Sequence, residues 1–138
     1  MYLVADAMTV APLTVQPEDT IEQAQALMRN GRMRHLPVVE GGKLVGLLTK
    51  SDILRRHAEG ATPRLVRDAM QTEVVTATAH LPLRRAARLL FDRKFGCLPV
   101  IDASRAVVGI LTESDFIRFA ADVATDLDRV EAIASRVA

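Results

Sequence analysis

The chain has 138 residues, 49% of them apolar and 25% charged, with four Phe, one Tyr and no Trp, an ordinary globular composition able to bury roughly two-thirds of its unfolded surface in one compact domain. A net charge of +1 excludes an electrostatically driven nucleic-acid binder, and no apolar run approaches the roughly 20 residues of a membrane-spanning helix, so no membrane insertion is expected. The single cysteine, Cys97, excludes an internal disulfide, and the opening MYLVADAM lacks a signal-peptide pattern; together they predict a cytoplasmic protein.

In chain order, VADAM (4–8) reads as a short turn and LTV as a small β-prone piece. DTIEQAQALMRN then places Ile21, Ala24, Leu27 and Met28 on one face of a helix. Asp19, followed three residues later by Glu22, predicts a capping box at its start. HLPVVE is short, apolar and β-branched, as a buried strand should be, and EGGK turns it into KLVGLLT to close a hairpin. Thr49 to Asp52 presents Thr-x-x-Asp at a further helix start, where the hydroxyl can cap and the acid sits in the first turn. HAEGATPR, with Gly60 and Pro63, stops that helix and begins a new unit. The second unit runs in the same order: VRDAM (66–70), VVTAT, and a helix carrying Leu83, Ala86, Ala87 and Leu90 behind Pro82. CLPVID, DASR and AVVGILT then form a hairpin, and Thr112 to Asp115 a second Thr-x-x-Asp. Beyond it, Phe116, Ala120, Val123, Leu127, Val130, Ala134 and Val137 follow the a/d spacing of a helical seam, with Asp122, Asp126, Asp128 and Glu131 populating the other side. Packing on the protein's own body is the expectation for this seam; a dimer seam and an attachment point for a partner are the alternatives.

The two units are copies. GLLTKSDILR (46–55) and GILTESDFIR (109–118) are identical at six of ten positions. A shift of 62 residues aligns VADAM with VRDAM, Thr14 with Thr76, and LPVV (36–39) with LPVI (98–101), and one extra residue before Gly109 raises the shift to 63. The repeat covers about residues 4–55 and 66–118. Each half reads β-α-β-β-α, and at about 55 residues each is marginal alone. An α+β fold of two intertwined repeats related by a pseudo-twofold axis is therefore expected. Its units are residues 1–60 and 61–121, with a C-terminal helical extension at 122–138.

The pattern xLPVV followed by G-x-x-T-x-S-D, present twice in the same order, resembles the cystathionine β-synthase (CBS) domain in tandem, over about 105 of the residues. The resemblance implies a non-catalytic Bateman-type module that binds AMP, ADP, ATP or a related adenosyl ligand. It also implies flat homodimers and regulation of a partner enzyme, channel or transporter in trans. It places one site at Gly109, Thr112, Ser114 and Asp115 with Thr9, Leu13, Arg34, His35 and Pro37. A second joins Gly46, Thr49, Ser51 and Asp52 to Thr72, Val75, Cys97 and Pro99. The chemistry is apt: a carboxylate can accept from both ribose hydroxyls, and hydroxyls beside free N–H groups at a helix start suit ribose or phosphate oxygens. Adenine would be gripped by backbone and small apolar groups.

Plainer readings stand beside these. Thr49 and Asp52 can serve as a local cap alone. Arg32, Arg34 and His35 form a basic cluster that is either solvated or in contact with phosphate. Cys97 reads as a small buried residue rather than a reactive thiol, and His57 and His80 as surface residues. No HExxH, CxxC, nucleophile elbow or Gly-rich phosphate loop supports catalysis or a required cofactor. A dimeric interaction module without nucleotide is the competing class. The two sites are expected to differ, because Arg34 and His35 become Gly96 and Cys97 in the second copy. The site of Asp115 should then be the more positive, with the exchange of Lys50 for Glu113 discounted as solvent-facing.

Overall fold

Two hairpins frame the protein. The computed structural model, which describes residues 1–137 and only the backbone of Val137, pairs β2 (His35–Glu40) with β3 (Lys43–Thr49), and β4 (Cys97–Ile101) with β5 (Val107–Thr112), in antiparallel register. These are the short apolar runs marked by the sequence; Leu36, Val38 and Leu48 are fully buried in the first hairpin, and Leu98, Val100 and Leu111 in the second. Both hairpins carry an irregularity at the same repeat position, after Val38 and after Val100.

Helices cover the hairpins. α2 (Ile21–Gly31) buries Ile21, Ala24 and Met28, and α4 (Leu83–Arg93) buries Leu83, Ala86 and Leu90. α3 (Lys50–Ala58) and α5 (Glu113–Val137) begin at the ends of β3 and β5. The capping box of α2 lies one residue later than Asp19 and Glu22 suggested. The Thr20 hydroxyl accepts from Gln23 N (3.1 Å), while Gln23 Oε1 accepts from Thr20 N (2.9 Å). Asp19 instead accepts from Gln16 N in the preceding turn. A Gln at the third position serves as well as a Glu.

The two β-prone pieces do not form full strands. Val15 makes a single parallel bridge to Val38, and Ala77 one to Val100. A strand absent from the sequence reading appears instead: β1 (Thr9–Val10) pairs with β5 of the other repeat, Thr9 against Ile110 and Val10 against Gly109. Its counterpart, Gln71, bridges to Leu47.

This exchange is what intertwines the repeats. α1 (Val4–Ala7) buries Val4 and Ala7 in the core of the second repeat, with Ala77, Leu98 and Leu111. The 3-10 turn Val66–Asp68 buries Val66, followed by Ala69, in the core of the first, with Leu36, Leu48 and Ile53. Val4 N donates to Leu81 O (2.9 Å), and Val66 N to Asp19 O (2.8 Å). The shared acid of VADAM and VRDAM acts locally, because Asp6 accepts from Leu3 N and Asp68 from Leu65 N, closing the two turns. Leu47, Cys97 and Ile110 form a third cluster from residues of both hairpins.

The repeated glycines belong to the same exchange. A Cβ on Gly46 would lie 2.8 Å from the Gln71 carbonyl oxygen, and one on Gly109 would lie 3.0 Å from that of Thr9. Gln71 cannot retreat, since it exchanges backbone hydrogen bonds with Leu47 at 2.9 and 2.8 Å. Gly46→Ala and Gly109→Ala are therefore each expected to cost about 1–3 kcal/mol of stability by overpacking. Urea denaturation reads the loss directly, and midpoints equal to wild type would show that the crossing segments have room.

The C-terminal seam departs from expectation. Phe116 and Phe119 pack on the second core and Val123 is half-buried, but Leu127 and Val130 are 60% and 62% exposed. α5 is longer than the body beneath it, so packing on its own subunit ends near Val123. The side chain of Val137, the last seam position, lies outside the described residues.

Candidate functional site

Each repeated acid is held at a helix start. The Thr49 hydroxyl caps α3, accepting from Asp52 N (3.1 Å) and donating to Asp52 Oδ2 (2.7 Å). Arg55 Nη2 (2.7 Å) and Gln71 Nε2 (2.9 Å) also donate to that carboxylate. At α5, Thr112 donates to Asp115 Oδ2 through its N (2.8 Å) and its hydroxyl (3.1 Å). Thr9 Oγ1 and Arg118 Nη2 donate to Oδ1, each at 2.8 Å. Asp52 and Asp115 are 1% and 2% exposed. Burial of a charge is tolerable only with such partners. Each acid draws one donor, Gln71 or Thr9, from the segment that crosses over from the opposite repeat. The local-cap reading is thus satisfied by the fold itself.

Beside Asp115 a cleft of about 870 Å³ opens between the repeats. It brings together Thr9, Leu13, Arg34, His35, Thr112, Ser114 and Asp115. Pro37 and Gly109 lie buried within β2 and β5 and do not line it. The cleft also recruits residues that sequence reasoning missed, chiefly Arg32, Met33 and Arg118. Arg118 could have been found, since it ends the repeated ten-residue stretch. Arg32 enters because it terminates α2 in the left-handed conformation (φ 51°), turning the chain into Met33, Arg34 and His35. Three arginines, Arg32, Arg34 and Arg118, thus line a cleft that also holds Glu113 and Asp115. Glu113, discounted from the sequence as solvent-facing, belongs to this wall.

The counterpart beside the second repeat is a cavity of about 150 Å³. Thr49, Val75 and Cys97 line it, with Gln71, Glu73 and Lys94. Gly46, Asp52, Thr72 and Pro99 do not, and Ser51 faces the larger cleft instead. The two spaces share a wall made of His35, Thr49 and Gly96. Burial pushes the Cys97 thiol up to about 12, leaving it a protonated, small apolar group.

Burial, assisted by the Arg34 guanidinium, holds His35 below the ordinary histidine range, against the weaker pull of Glu113 and Asp52. The unfolded chain, with a histidine pKa of about 6.5, binds the proton more readily than the folded one. The resulting stability is present above that value and lost as pH falls towards the folded pKa. The stability of wild type relative to His35→Gln should accordingly decline below about pH 6.5. Denaturant titrations at several pH values measure it, and a pH-independent difference would contradict the assignment.

A pair of repeats that each fold as helix, hairpin and helix, exchange a segment and leave clefts at their junction defines a class of domain. The chain belongs to the CBS domain family, whose profile matches residues 4–59 and 66–122. It is 36% identical over 119 residues to the CBS domain-containing protein YhcV of Bacillus subtilis (strain 168), covering 83% of each chain. It is 35% identical over 103 residues to inosine-5'-monophosphate dehydrogenase of Korarchaeum cryptofilum (strain OPF8), covering 75% of this chain but only 21% of that enzyme. Among solved structures, the CBS domain pair of protein MJ0100, in complex with 5'-methylthioadenosine and S-adenosyl-L-methionine, superposes with a TM-score of 0.79 at 31% identity, covering 86% of this chain and 98% of that one. CBSX2 in complex with AMP gives a TM-score of 0.80 at 29% identity, covering 90% and 99%. Among the described residues no helix is long and apolar enough to cross a membrane, and no group of three or more His, Cys, Asp and Glu is placed to hold a metal ion.

Proposed function

We propose that the protein is a non-catalytic regulatory module that takes an adenine nucleotide or related adenosyl compound in the larger cleft and signals to a partner enzyme or transporter in trans. The observation that carries this reading is the juxtaposition, in one cleft of about 870 Å³, of the Asp115 carboxylate with three arginines. That volume falls in the range of about 300–1,000 Å³ usual for ligand sites. The ribose hydroxyls replace the Thr9 and Arg118 contacts on Asp115; Arg118, whose side chain is 58% exposed, can swing away. Phosphates then meet Arg32 and Arg34, and adenine rests against Leu13, Met33 and Ile110, with no aromatic platform needed. The adenosyl ligands of MJ0100 and CBSX2 belong to the same chemical class. The dehydrogenase relative, in which a matching segment makes up 21% of an enzyme's own chain, supports the pairing of such a module with an enzyme.

Calorimetry with AMP, ADP, ATP and S-adenosylmethionine tests the proposal. Heat with at least one, and no product on prolonged incubation, is expected. Silence across the panel at millimolar concentration leaves the interaction module. The protein is further read as a homodimer. Leu54 and Ile117, equivalent positions on α3 and α5, are 59% and 72% exposed, and Phe91 on α4 is 78% exposed. Twofold contacts are the commonest way to cover such faces. Light scattering that returned the monomer mass at tens of micromolar would defeat this part.

A further inference from the structure

Two surfaces are unmatched within the chain and complementary to each other. The first is a groove of about 440 Å³ between α2 and α3. Its floor is Met28, Ile53 and Leu54 with Met33, and its rim is Arg29 and Lys50 with Arg32 and Arg34, the last two and Met33 being shared with the larger cleft. No acidic side chain lines it, and none of these four cations joins an ion pair among the described residues.

The second surface is the distal half of α5. Leu127, Val130 and Ile133 are 60%, 62% and 60% exposed. At about 3.6 residues per turn, Val123, Leu127, Val130 and Ala134 form one stripe with Ile133 at its edge. Asp122 and Asp126 border the stripe on one side and Glu131 on the other. Arg118, Arg129 and Arg136 fall on the opposite face. The one ion pair of these acids, Asp126 with Arg129 at 3.9 Å, joins two exposed side chains and constrains little. The helix thus offers an apolar stripe bordered by acids, and the groove an apolar floor bordered by cations.

We propose that the distal half of α5 of one copy seats in the α2/α3 groove of a second copy, and reciprocally. This rests on the homodimer reading above and gives that dimer an orientation: the first repeat of each copy receives the second-repeat helix of the other, head to tail. A twofold axis makes the two contacts identical, so both surfaces are consumed and neither stays open to further copies. Pairing α5 with its own copy instead would set acidic border against acidic border and leave the groove cations unmatched. The exposed stripe is larger in apolar content than a solvated helix needs, and a cover from the same chain type is always at hand.

The test uses two full-length double variants, neither altering a residue that lines the larger cleft. Arg29→Glu with Lys50→Glu puts acids in place of two of the four groove cations and cancels the groove's net charge; Asp126→Lys with Glu131→Lys makes the helix basic. Each variant alone should weaken the dimer roughly tenfold or more in sedimentation equilibrium, since like charges then face each other at both contacts. An equimolar mixture should restore dimerisation, because in the mixed pair the introduced glutamates meet the introduced lysines at one contact and the unaltered groove meets the unaltered helix at the other. Circular dichroism of each variant verifies the fold. A monomeric wild type overturns the homodimer reading and this proposal together. A dimeric wild type whose variants dimerise unchanged overturns this proposal alone. So does a mixture that fails to recover, or a loss confined to the helix variant, which would mean that α5 pairs elsewhere.

Discussion

Asp115→Ala is expected to weaken nucleotide binding roughly 10- to 150-fold, the equivalent of losing a hydrogen bond to a charged group, about 1.5–3 kcal/mol. Asp52→Ala should cost overall affinity less, because the cavity near it, about 150 Å³, is too small for a nucleotide as it stands. Both variants also lose structural contacts: the backbone N–H of Thr112 hydrogen-bonds to Asp115, and the Gln71 amide to Asp52. Melting without ligand must therefore be recorded beside calorimetry. Asp115→Asn, which keeps the shape but swaps an acceptor for a donor, should lose affinity with a smaller drop in melting temperature. Arg34→Ala should weaken ATP more than adenosine, since only phosphates engage the guanidinium. If Asp52→Ala abolishes tight binding while Asp115→Ala leaves it intact, the sites are assigned the wrong way round.

The second large effect concerns the cores. Leu48 and Leu111 are both fully buried, one in each repeat. Truncation of either to alanine should cost about 2–5 kcal/mol. Because each core contains a segment of the other repeat, Val66 and Ala69 in the first and Val4 and Ala7 in the second, damage to one cannot be confined. Both variants should unfold in a single calorimetric transition, shifted down as a whole. A Leu48→Ala protein that melts in two steps, with the upper one at the wild-type temperature, would show that the repeats are independent.

Much of the fold was legible because its signals are local. Apolar period and β-branched content mark the hairpins and the faces of α2 and α4, and the duplication doubles each signal. The crossing segments were not legible. Nothing in MTVA near Thr9 says that it pairs with Ile110, because the partner lies far along the chain and the strand is only two residues long. For the same reason the glycine of G-x-x-T looked like part of a ligand motif, whereas a close backbone approach already requires it. At the site, six residues expected around Asp115 do line one cleft with it, since they flank strand starts and helix starts on the side where the repeats meet. Around Asp52 the symmetry of the letters misled. Thr49, Val75 and Cys97 do line the small cavity, but Ser51 faces the larger cleft, and the replacement of Arg34 and His35 by Gly96 and Cys97 changes the shape as well as the charge.

The exchange of segments also bears on how the chain folds as it is made. Synthesis proceeds from the N-terminus, and domains tend to fold in that order. Here the first repeat cannot close its core when its own residues have emerged; it waits for Val66 and Ala69. Val4 and Ala7 wait longer still, until Leu98 and Leu111 have formed the second hairpin that receives them. Residues that leave the ribosome ahead of both hairpins are thus some of the last to find their place. Until then the nascent protein carries an open apolar surface that a chaperone, or a second nascent chain, is free to occupy.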